Sequence, residues 1–76
     1  MSQNIGKVVE IIGPVVDIQF LQNNLPDLLT AIEIERPNEE NLIVEVEQDI
    51  GSDRVRCIAM GSTDGLVRGM DAIDTG

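Results

Sequence analysis

The chain has 76 residues, 42% of them hydrophobic and 25% charged, and its 5 basic and 14 acidic residues give a formal charge of -9. That length allows a single domain over residues 1–76, one that hides only about 60% of the surface its unfolded form exposes. The composition is too apolar for a disordered tail, and the negative charge repels phosphate backbones and anionic bilayers, which argues against nucleic-acid and membrane partners.

The apolar positions are filled by Ile, Val, Leu and Met, with one Phe and no Trp or Tyr, a β-branched composition that favours strands. The first stretch, "GKVVEIIGPVVDIQF" from Gly6, reads as one bent strand or two short ones interrupted by Gly13 and Pro14. Val9 and Ile11 share one face, while Val16, Ile18 and Phe20 share a face of opposite parity. One extra residue flips a strand's faces, so Gly13 and Pro14 are expected to form a turn, bulge or corner. Asn23, Asn24 and Pro26 mark an irregular connection. After it "TAIEIER" alternates Ile32 and Ile34 with Glu33 and Glu35, and "LIVEVEQ" alternates Val44 and Val46 with Glu45 and Glu47. With the polar "PNEEN" between them, these two segments predict a hairpin.

"DIGSD" predicts the next turn, and "RVRCIAM" places Val55, Cys57 and Ala59 on one face with Arg54 and Arg56 on the other. Setting Val46 opposite Val55 and Val44 opposite Cys57 brings Glu47 to Arg54 and Glu45 to Arg56, pairs expected to fix alignment more than stability. "MDAID" supplies a last short strand. The expected fold is all-β: a small closed six-stranded antiparallel β-barrel, since closure removes the exposed edges of a flat sheet.

Reactive chemistry is sparse. Glu33, Glu35, Glu39, Glu40, Glu45, Glu47 and Asp49 alternate with core positions and read as a solvated face, and no D-x-D-x-D-G cation loop is present. Cys57 lies in a period-2 apolar row, and the chain has no histidine to activate it. "GSTDG" and "GLVRG" lack the spacing and the lysine of a phosphate loop. Asp64-Gly65 is a turn signal, and Gly69 is expected to give a tight approach or a positive φ before the last strand. No catalytic, cofactor-binding or metal residue is assigned. A single cysteine, no basic-then-apolar leader and no apolar run long enough to span a bilayer make the reducing cytoplasm the expected setting.

"GKVVEIIGPVVDIQF", "VRCIAMGSTDGLVRGM" and the final "DTG" resemble, in order and spacing, the N-terminal domain of the catalytic beta subunit of F-type ATP synthases, over Ile5 to Gly76. The related alpha subunit, vacuolar-type, flagellar and type III secretion ATPases and the transcription terminator Rho carry different motifs in this region. Asp49, Cys57 and Gly61 depart from that subunit's usual histidine, threonine and acid. The resemblance implies a non-catalytic barrel in the crown that joins three alpha and three beta subunits, with neighbouring alpha subunits as partners and no direct membrane contact. It makes "STDGLVRGM" a connection that closes the barrel, with Asp64 and Arg68 as candidate interface residues. In isolation the bared sides are expected to invite self-association or strand swapping. The alternative is an autonomous acidic binding module, natural, engineered or ancestral, for a basic protein or a divalent ion.

Overall fold

The computed structural model describes residues 4–21 and 24–76. Asn23, expected in the irregular connection, lies outside the described residues. The strands are β1 (Ile5–Ile12), β2 (Val15–Gln19), β3 (Ala31–Ile34), β4 (Leu42–Gly51), β5 (Arg54–Ala59) and β6 (Asp71–Asp74). They close into a barrel in the order β1-β2-β5-β4-β3-β6, every neighbouring pair antiparallel. Among the described residues there is no helix. The expected closed six-stranded barrel is therefore the observed one.

Alternation dictates which side chains fill it. Val16, Ile18, Ile32, Ile34, Val44, Val46, Val55 and Cys57 are fully buried and occupy alternate positions along β2 to β5. β-branched side chains suit this use because each sheet face offers them neighbours on both sides. Phe20, Pro26 and Leu66, from the two long connections, are also buried, so the loops cover the core that the strands leave open.

The parity change in the first stretch is real but lies elsewhere than at Gly13 and Pro14. Val8 pairs with Ile18 and Glu10 with Asp17, leaving Val9 as an extra residue in a β-bulge inside β1. The core residue there is Val8, while Val9 and Ile11 are half-buried. Gly13 and Pro14 form the two-residue turn between the paired Ile12 and Val15. Gly13 has φ of 55°. Proline cannot take a positive φ, so the arrangement is a type II′ hairpin turn with glycine at its first central position.

The β4–β5 hairpin corrects the expected charge pairing. Val46 lies opposite Cys57 and Val44 opposite Ala59, with register shifts at Glu47 and Ile50. Ser52 and Asp53, with φ of 56° and 61°, form its tip between the paired Gly51 and Arg54. Positive φ at both central positions is the type I′ geometry that matches strand twist. The expected register was out by two residues, a shift that keeps every side chain on its proper face but changes its cross-strand neighbour. Arg54 thus faces Gly51 instead of Glu47, and Arg56 faces Gln48 instead of Glu45.

Candidate functional site

The "STDGLVRGM" stretch crosses from β5 to β6 as two successive turns. The N–H of Leu66 donates to the Thr63 carbonyl at 3.1 Å and that of Met70 to the Val67 carbonyl at 3.4 Å. Gly65 (φ 83°) and Gly69 (φ 95°) each occupy the third position of their turn, where a type II turn requires a left-handed residue. Between the turns Leu66 is only 9% exposed and packs in the core. Asp64 and Arg68 sit at the second positions, and both are exposed.

Arg36, which the sequence did not single out, fixes this connection. Its Nη1 donates to the carbonyls of Ser62 (3.1 Å) and Asp64 (2.9 Å), and its Nε to that of Glu40 (2.9 Å). One guanidinium thereby ties the β3–β4 loop to the β5–β6 connection through carbonyls that the strand ladders do not use. The Thr63 hydroxyl adds a bond to the Gly13 carbonyl at 3.1 Å, joining the connection to the β1–β2 turn.

Replacing Gly69 by alanine tests the turn alone, because no atom lies within 4 Å of the added Cβ. The expected loss is about 1–2 kcal/mol from left-handed strain. Gly65→Ala is expected to lose more, since its Cβ also runs into the Glu39 carboxylate. Urea denaturation of both variants checks the order, and equal losses would show that Glu39 simply swings aside.

Asp17 is a second side chain whose role the sequence pattern does not reveal. It points out of the barrel from β2 yet is only 4% exposed, because Arg56 on the neighbouring β5 covers it. Nε and Nη2 of Arg56 donate to the two carboxylate oxygens at 2.9 and 3.0 Å. These bonds, with the charge of Asp17, hold the Arg56 guanidinium above its ordinary pKa. The pair is a structural clamp between two strands distant in sequence. On β4, a hydrogen bond with Glu45 raises the Glu47 carboxyl above its ordinary range, with burial and the Glu45 charge adding to it. Among the described residues, no three His, Cys, Asp or Glu side chains converge to hold a metal ion.

The outer wall is more informative than any pocket. Ile12, Ile43, Ile58 and Met60 are exposed around β1, β4 and β5. Val15 lies opposite Ile58, and the Met60 N–H bonds to the Ile43 carbonyl at 2.8 Å, so these side chains adjoin across the sheet. Leu28 and Leu29, in the β2–β3 connection, are 61% and 68% exposed.

A closed antiparallel barrel with an aliphatic core, braced loops and a strip of exposed aliphatic side chains is the class of domain these strands define. Residues 8–76 match the model of the ATP synthase alpha/beta family, beta-barrel domain. The chain belongs to that family, whose N-terminal barrel is a non-catalytic part of the alpha/beta assembly.

Proposed function

We propose that the chain is the N-terminal barrel of a beta subunit of an F-type ATP synthase, a collar that holds alternating alpha and beta subunits in a ring while other domains bind and turn over nucleotide. The beta assignment is carried by "IAMGSTDGLVRGM", the stretch whose two turns and central Leu66 close the barrel. The collar role is supported by mechanics. A closed ladder has no free edge, and its close-packed core transmits strain with little compliance. Neighbouring alpha subunits are the partners in this reading, and Asp64 and Arg68, exposed on braced turns, are its interface candidates. The place of work is the cytoplasmic face of a bacterial membrane, without direct contact with the bilayer.

The test is to graft residues 5–76 in place of the N-terminal barrel of a bacterial beta subunit and to follow ring assembly with alpha subunits by size-exclusion chromatography. Hexamers with ATP hydrolysis intact are expected. A folded graft that leaves the subunits dissociated would overturn the collar role. The 76-residue chain alone is expected to give no saturable heat with micromolar ATP in calorimetry, and saturable binding there would contradict a non-catalytic collar.

A further inference from the structure

The β2–β3 connection places a leucine where a leucine has no structural reason to be. The Thr30 N–H donates to the Asp27 carbonyl at 3.2 Å, closing a turn whose central residues are Leu28 and Leu29. Leu29 has φ of 69°. This is the left-handed region at the position where a type II turn takes glycine or asparagine, and a bulky side chain there is strained. Burial offers no compensation, because Leu29 is 68% exposed and Leu28 61%. Two adjacent leucines therefore project into water from a backbone that disfavours one of them. The backbone of the turn is held by bonds to β4, but a strained position filled by a side chain that gains no burial points to an external contact for that side chain.

The surroundings define that contact. The Leu29 N–H bonds to the Val46 carbonyl at 2.7 Å, and the Val46 N–H to the Thr30 carbonyl at 3.0 Å, which seats the turn against β4. Val46 is buried, with Glu45 and Glu47 as its two neighbours in β4 and Glu45 opposite Ala31. Asp27 lies in the turn itself. The leucines thus stand on a turn that carries Asp27 and abuts the β4 segment bearing Glu45 and Glu47. Those two carboxyls crowd each other, their hydrogen bond raising the Glu47 carboxyl above its ordinary range, with burial and the Glu45 charge adding to it. A cation from outside relieves that crowding, whereas a second copy of a chain carrying a charge of -9 aggravates it.

We infer that Leu28 and Leu29, with Glu45 and Glu47 of the adjoining β4, form a docking knob for a neighbouring protein that offers an apolar socket rimmed by Lys or Arg. The inference rests on the ring reading for its partner, which is the N-terminal barrel of the adjacent alpha subunit.

Leu29→Gly separates this from a role in folding. Glycine accepts the turn's φ and removes only an exposed side chain, so the isolated chain is expected to denature at the same or a higher urea concentration. Binding to the purified alpha-subunit barrel, measured by calorimetry, is expected to weaken at least about tenfold. Glu45→Gln with Glu47→Gln is expected to flatten the salt dependence of that binding. A lower urea midpoint for Leu29→Gly would show that the leucine serves the fold, and would overturn the inference without any partner present. Wild-type affinity retained by Leu29→Gly would overturn the knob alone and leave the ring reading standing. Absence of binding by the unaltered chain would overturn both.

Discussion

Gly6→Val is expected to leave the chain largely unfolded at room temperature, and Gly6→Ala to lower its stability by about 1–3 kcal/mol. Gly6 is buried in β1 opposite Ala72 of β6, at the seam where the barrel closes. A Cβ built there would lie 2.8 Å from the Gln19 carbonyl oxygen, 2.8 Å from Ile18 Cγ2 and 2.9 Å from Phe20 Cδ1. The carbonyl belongs to the β1–β2 ladder, so it cannot retreat without loosening the strand pair, and Phe20, the one aromatic residue, is 4% exposed and hemmed in by the core. A domain of this size is stabilised by roughly 4–11 kcal/mol at the usual value per residue. Valine adds two more methyl groups to the same collision, which is enough to exhaust a margin of that order. Urea denaturation followed by circular dichroism decides the matter. A Gly6→Ala variant with an unchanged midpoint would mean that the end of β2 and Phe20 can draw back from β1 at no loss, and the close packing at Gly6 would then contribute little to stability.

Which features could be read from the sequence follows from the range over which each interaction acts. Alternation is local, so Ile32, Ile34, Val44, Val46, Val55 and Cys57 announced themselves as core, and all six are buried. Register is less local. Glu47 and Ile50 each interrupt the β4–β5 ladder, and because two such insertions restore parity, the faces came out right while the charge partners were displaced. In β1 a single bulge at Val9 leaves parity changed, whereas the letters alone point to the conspicuous Gly13-Pro14 pair.

The non-local pairings left the weakest trace. β2 lies beside β5, with Asp17 and Arg56 set 39 positions apart in the chain, so an acid inside "VVDIQF" reads only as an interruption of an apolar run. Arg36 binds backbone carbonyls, which have no residue identity to recognise, and nothing in its surrounding letters distinguishes it from a solvated arginine. Leu28 and Leu29 look like core residues by composition, and only the folded structure shows them exposed.

Above pH 9 the stability of the chain is expected to fall by about 1.4 kcal/mol per pH unit, and a Cys57→Ala variant is expected to lose that slope. Cys57 is fully buried in β5, flanked by Val16 on one side and Val46 on the other. Burial, with smaller contributions from the charges of Asp17 and Glu47, pushes its thiol from 9.0 up to about 12. Below pH 9 the folded and unfolded chains both hold the proton, so the thiol leaves stability independent of pH. Between 9 and 12 the unfolded chain releases the proton and the folded chain keeps it, and the equilibrium moves toward the unfolded state with each unit. The chain contains no tyrosine or histidine, so no other buried side chain of those kinds blurs the interval. Lys7 is exposed and paired with Asp71, and it is unchanged in the alanine variant, which removes its contribution from the comparison. Alanine lowers stability at every pH by leaving a small cavity, so the informative quantity is the slope and not the midpoint at pH 7. Urea midpoints at a series of pH values up to 12 supply it. Parallel slopes in the two proteins would mean that the unfolding at high pH arises from the surface charges, and that the β5 core admits a thiolate far more readily than its packing implies.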